Sequence, residues 1–262
     1  MRRALILFSF LAACDVPQEE EVAMGAETAE QIGSQLPLVR DPYINAYINE
    51  LGDTIAGRTS RADLDWKFFV VNSHQVNAFA LPGGFIYVNR GLIEATSTVD
   101  ELAGVLGHEI GHVIQRHSVE QMQNRQKIGV VAQLACVLTN VCESGLGQAA
   151  INIGGTAIIS RYSRADEFEA DSEAVENVLR VGIDPEGIPS LFEVLMSARQ
   201  RSPGVVEGWF ATHPLEESRI DNSRRLIEQA GAAGAGGLLK QLPSYPDFKR
   251  RVEMLPEPVA PP

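Results

Sequence analysis

Residues 98–117 read TVDELAGVLGHEIGHVIQRH, and no other stretch of the chain leaves so few options. Thr98 followed by Glu101 predicts a capping box that opens a helix. Val99, Leu102, Ala103, Leu106, Ile110 and Val113 then recur at three- and four-residue steps and give that helix one apolar face. His108 and His112 stand one turn apart, so their imidazoles project from the same side and can share one small cation. Glu109 lies next to that cation without binding it. This is H-E-x-x-H on an amphipathic helix, the pattern of a zinc hydrolase. The bland alternative is a surface helix with two solvated histidines, and the context of the motif decides between them.

The second informative stretch is residues 163–181, SRADEFEADSEAVENVLRV. Ser163 with Asp166 predicts another cap, and Phe168, Val175, Val178 and Leu179 mark a buried face. Glu167 and Asp171 are four residues apart and share a side of that helix. An acidic pair on a helix usually serves solubility. Here it follows a two-histidine site that lacks a third ligand. A metzincin would need glycine at position 115 and histidine at 118, where the chain has Gln115 and Ser118, and His117 is out of register for that site. The third ligand must come from elsewhere, and a carboxylate on a second helix is the gluzincin solution.

At 262 residues and 45% hydrophobic content the chain has room for a sizeable core, and a formal charge of −12 argues against nucleic acid as a partner. Residues 1–13 carry two arginines and a short apolar run, which reads as a secretory signal too short to span a membrane. The run Leu11-Ala12-Ala13-Cys14 resembles a bacterial lipobox, so Cys14 is expected to carry lipid. Asp15 resembles an inner-membrane retention signal. Residues 14–30 are acidic and read as a flexible tether. Cys136 and Cys142 are then either a disulfide closing a small loop or two buried thiols.

From Ala26 to about Gly57 the pattern is helical, broken around Pro37 and restarted by Asp41-Pro42, with Ile44, Tyr47, Ile48, Leu51 and Ile55 as the core face. Residues 65–72 read as a strand. Residues 77–89 read as two strands meeting at Pro82-Gly83-Gly84, with a proline that favours a sheet edge where an extended polypeptide can dock. The apolar runs 128–138 and 145–159 read as buried helices, neither reaching the length of a membrane span. After about residue 230 come a Gly/Ala-rich loop and a Pro-rich tail, with no room for a tetratricopeptide repeat.

Taken in order, Asn77-Ala78-Phe79, Pro82-x-Gly84, His108-Glu109-x-x-His112, Ser163-Arg164-x-x-Glu167-x-Glu169-Ala170-Asp171 and His213-Pro214 resemble the membrane-associated zinc peptidases of the HtpX and CAAX-protease superfamily. The branch most similar is the periplasmic BepA- and LoiP-like one, without the repeat domain that some of its members carry. The resemblance implies an α+β fold: a mainly helical zincin-type domain over residues 31–230, with a small sheet whose edge strand borders the cleft. Residues 231–262 are a C-terminal segment. It further implies one Zn2+ per chain held by His108, His112 and Glu167, with Glu109 as base and Asp171 orienting a ligating imidazole. His213, otherwise a loop residue, would be a fourth ligand that shuts the site. Arg219, otherwise a salt-bridge residue, would face the cleft and stabilise an oxyanion. Asn77, Ala78 and Phe79 would bind substrate. The function so implied is a lipid-anchored periplasmic zinc endopeptidase acting on unfolded or misassembled envelope proteins. The alternative is a chaperone-like holdase with a permanently latched zinc site.

Overall fold

The computed structural model describes residues 16–128, 161–214 and 217–258. The readings that rest on the signal segment, Cys14, Asp15, Cys136, Cys142 and the apolar runs beyond Ile128 lie outside the described residues.

Sequence signals explain the first half of the fold. Helix α2, Pro42–Ala56, starts where the Asp41 carboxylate accepts the amides of Tyr43 and Ile44 and proline occupies the first turn. It buries Ile44, Ile48, Leu51 and Ile55, and leaves Tyr47 half-buried. Strands β1, Lys67–Val71, β2, Ala78–Leu81, and β3, Phe85–Asn89, form a three-stranded sheet in the order β1-β3-β2. The β2–β3 hairpin turns at Gly83 and Gly84, whose φ angles of 77° and 96° are the left-handed values that glycine tolerates. β1 runs parallel to β3, so the sheet is mixed.

Alternation along the strands separates two layers. Phe68, Val70, Ala78, Ala80, Ile86 and Val88 join the main core with α2 and the helix α4, Val99–Ile114. Phe79, Leu81, Phe85 and Tyr87 face the other way and pack with Ile32 of α1, Gln18–Gly33. The expected tether is therefore ordered helix from Gln18 onward. Its acidic composition suggested solvent, but Glu21 is fully buried and accepts from both Nη atoms of Arg61 at 2.7 and 3.1 Å. The Nε of Arg116 sits 2.9 Å from the same carboxylate. Two guanidinium groups thus compensate the desolvated charge.

α4 is the central helix, buried at every position from Val99 to Val113. Its start departs from the expected capping box, because the Thr98 side chain makes no cap bond. The Glu101 carboxylate reaches past it to the Ser97 amide at 2.6 Å and accepts from the Ser190 hydroxyl at 2.7 Å. Around α4 lie the short α3, Arg90–Ala95, then α5, His117–Ile128, α6, Arg164–Arg180, α7, Gly187–Arg201, α8, Pro203–Thr212, and α9, Glu217–Gln229. A last helix α10, Tyr245–Glu253, belongs to the same body. Its Tyr245, Phe248 and Val252 are buried, with Phe248 stacked on Tyr47 at 4.1 Å between ring centroids. The architecture is α+β and mainly helical, as expected. No helix among the described residues is long and apolar enough to cross a membrane.

Candidate metal centre

The site forms where α6 lies against α4, and two glycines of the motif helix permit the approach. A Cβ on Gly111 would stand 2.9 Å from the Ala170 carbonyl oxygen, and one on Gly107 would stand 3.3 Å from the Ala174 Cα. Backbone therefore meets backbone, and short carboxylate side chains on α6 can reach the imidazoles of α4. α6 itself opens with the expected capping box between Ser163 and Asp166. Its buried face is Glu167, Ala170, Asp171, Ala174, Val175 and Val178, while Phe168 is only half-buried. The acidic pair occupies the centre that the apolar pattern had assigned to aromatic and aliphatic residues.

His108, His112, Glu167 and His213 bring four donor atoms within 4.8 Å of one another, all fully buried. The two Nε2 atoms of His108 and His112 are 3.1 Å apart. His213 Nδ1 lies 3.3 Å from His108 Nε2 and 3.0 Å from Glu167 Oε1. Glu167 Oε1 is 3.4 Å from His112 Nε2. A tetrahedral zinc ion with ligand distances of 2.0–2.1 Å requires donors about 3.3 Å apart. The donor separations and the chemistry of two neutral imidazoles with one carboxylate fit that ion. His213 approaches from the end of α8 and fills the fourth corner, with its Nε2 3.4 Å from Glu109.

Surrounding groups fix these donors in place. The Asp171 carboxylate stands 3.0 Å from His108 Nδ1 and accepts from Arg219 Nε and Nη2 at 2.7 and 2.5 Å. Arg219 Nη1 donates to Glu167 and, at 3.2 Å, to the Pro214 carbonyl. The structure thus turns this arginine into the protein, clamping both carboxylates with its face on Phe192, 4.6 Å from the ring centroid. Burial opposes ionisation of Glu167, but His213 and Arg219 hold its carboxyl well below the usual range. Burial also opposes ionisation of Asp171, where Arg219 prevails and lowers the pKa. Burial, with the neighbouring imidazoles of His108 and His213, pushes His112 well down against the pull of Glu167, which keeps its ligand lone pair free. Glu109 is pushed up by burial, and its oxygens have no hydrogen-bond partner among the described residues.

Three aromatic neighbours escaped the sequence reading. Tyr162 stacks on the His112 ring at 3.7 Å, and Trp209 stacks on His213 at 4.6 Å. His117 lies against the far nitrogen of His112, at 2.9 Å. No local pattern marks the first two. A signal for the third existed, since a ligating imidazole needs a partner for its second nitrogen. Of the expected substrate residues, Asn77 is buried beside Gly208 of α8, with both side-chain polar atoms unpartnered among the described residues. Ala78 faces α4, whereas the Phe79 ring lies on the opposite layer, stacked on Tyr87 at 4.8 Å.

Two buried histidines and a carboxylate around one point, with a glutamate beside them, are the donor set of a gluzincin-type zinc site. The chain belongs to peptidase family M48, whose model matches residues 40–227. It is 31% identical over 217 residues to the beta-barrel assembly-enhancing protease of Escherichia coli K12, covering 80% of this chain and 44% of that protein. Metalloprotease LoiP of the same organism is 30% identical over 187 residues, 70% of this chain and 69% of that one. Metalloprotease YcaL is 32% identical over 178 residues, 68% and 66%.

Proposed function

We propose that this chain is a lipid-anchored periplasmic zinc endopeptidase that cleaves unfolded or misassembled cell-envelope proteins and is held shut by His213. The observation that carries the reading is the closed four-donor site of His108, His112, Glu167 and His213 with Glu109 at its side. The names of relatives that enhance β-barrel assembly support an envelope substrate, and the lipobox at Cys14 supports anchoring. Asp15 favours the inner membrane.

Zinc, when bound by His108, His112 and Glu167, supplies a Lewis acid that draws the pKa of water toward neutrality and polarises a peptide carbonyl. Glu109 takes a proton from the attacking water as its oxygen bonds to the carbonyl carbon. It then delivers that proton to the amine nitrogen as the C–N bond breaks. Burial raises the carboxyl pKa of Glu109 and so strengthens it as a base. Asp171 and Arg219 act as positioning residues for His108 and Glu167. The substrate enters as an extended strand along β2, read through its backbone by Ala78, Ala80 and the Asn77 amide, and therefore with little regard to sequence. His213 must swing away to admit it.

The closed position of His213 also favours a second reading, a holdase that binds envelope proteins without cutting them. Casein digestion by the chain from Asp15 onward, beside its Glu109→Gln variant, separates the two. Cleavage by the first alone supports the peptidase. No cleavage by either protein, nor by His213→Ala, would leave the holdase.

A further inference from the structure

We infer that His117 is a positioning residue for the metal centre: it accepts the hydrogen bond that fixes the His112 imidazole, and Glu169 fixes His117 in turn. The inference rests on the zinc-site reading above and adds a residue to it.

The two imidazoles of the motif face the centre through Nε2, so each turns its Nδ1 away from it. His108 Nδ1 meets Asp171 at 3.0 Å. His112 Nδ1 meets His117 Nδ1 at 2.9 Å, in a place where both rings are buried. Of two ring nitrogens at that distance only one carries a proton. His112 must keep its Nε2 lone pair for the metal, so its proton sits on Nδ1 and His117 Nδ1 accepts it. The remaining proton of His117 then sits on Nε2, which lies 3.2 Å from a Glu169 carboxylate oxygen. The chain Glu169, His117, His112 is a carboxylate–histidine–ligand relay with one extra imidazole inserted.

Sequence spacing alone would not deliver this contact. Five residues of continuous helix rotate His117 well away from His112. The helix is instead broken at Arg116, the one non-glycine residue with positive φ among the described residues, at 59°. That left-handed residue ends α4, starts α5 and folds His117 back toward the site. Arg116 is held there by Glu21 of α1, at 2.9 Å. Ser118, the residue after His117, hydrogen-bonds at 3.0 Å to the hydroxyl of Tyr162, whose ring covers the face of His112. His112 is thereby fixed both in plane and in rotation by residues that do not touch the metal.

The test compares two amides of different reach. His117→Asn puts an acceptor near the position of Nδ1, whereas His117→Gln puts it near Nε2, beyond His112. Zinc affinity is read by competition with a chromophoric chelator, and folding by circular dichroism and thermal melting of the metal-free proteins. We expect Gln to weaken zinc binding about 10–100-fold and Asn to stay within about threefold of wild type, at similar melting temperatures. Equal affinities for all three proteins, or equal losses in both variants, would overturn the role given to His117. A wild-type protein that takes up no zinc would overturn the metal-site reading itself.

Discussion

The two outer edges of the small sheet are treated in opposite ways. Along β1 the chain seals itself. The Asn49 amide donates to the Phe68 carbonyl at 2.9 Å and accepts from the Phe68 amide at 3.2 Å, acting as a one-residue strand. Val39 donates to the Val70 carbonyl and Asn72 to the Pro37 carbonyl, both at 2.8 Å. Along β2 the register leaves groups facing outward. Asn89 donates to Asn77, so Phe79 and Leu81 also bond toward β3 while Ala78 and Ala80 point away. The outward amide of Val76 is taken by Val205 at the start of α8, and no other backbone group among the described residues pairs with Ala78 or Ala80 on that side. An open edge invites strand addition. This protein closes the one remote from the metal centre and keeps the one that shares a face with α4.

If the β2 edge is where a substrate strand lies, the glutamate beside it carries the chemistry. Glu109→Gln should lower kcat by about 10²–10⁴-fold with zinc content unchanged. Zinc lost along with activity would make Glu109 a structural residue and leave the open edge without a catalytic partner. The edge itself is probed by Ala80→Pro, which deletes an outward amide that β3 does not use. KM for an unfolded protein should rise about tenfold, the worth of one backbone hydrogen bond, with little change in kcat. An unchanged KM would mean that substrate lies elsewhere.

His213→Ala tests the closure. The ring bridges α8 to the donor set, so its removal should raise kcat/KM several-fold by enlarging the fraction of molecules with an open site. A fall instead would identify His213 as part of the working ligand set and remove the idea of self-inhibition.

What the sequence revealed and what it hid follow the range of the interactions involved. The α4 and α6 helices were legible because their periodicity is local, as is the Ser163–Asp166 cap of α6, and Glu167 and Asp171 because four-residue spacing puts them on one side. The Pro82-Gly83-Gly84 hairpin was legible through its turn chemistry. Helix α1 was legible only from Ala26 onward; its first turns were not, since Glu21 is compensated by Arg61, 40 residues away. His117 was dismissed because the break at Arg116 depends on that same buried cluster. α10 was passed over because its three core residues sit in a short, otherwise polar segment. Asn49 carries no local signal, and only the strand it faces gives it a role.

That residue provides the sharpest test of the contrast between the edges, because its effects should be confined to stability. Asn49→Leu keeps the volume of the side chain but strips the Phe68 amide and carbonyl of their partners. Leaving partly buried backbone groups unpaired costs about 1–3 kcal/mol, which should lower the urea midpoint without changing the slope of the transition. kcat/KM at a temperature where the variant remains folded should match wild type, since β1 contributes no group to the metal centre. Light scattering adds a second reading, because an unsealed β1 edge offers a row of free groups to another chain. A loss of peptidase activity without a loss of stability would show that substrate also uses this edge, and the division of labour between the two edges would fall.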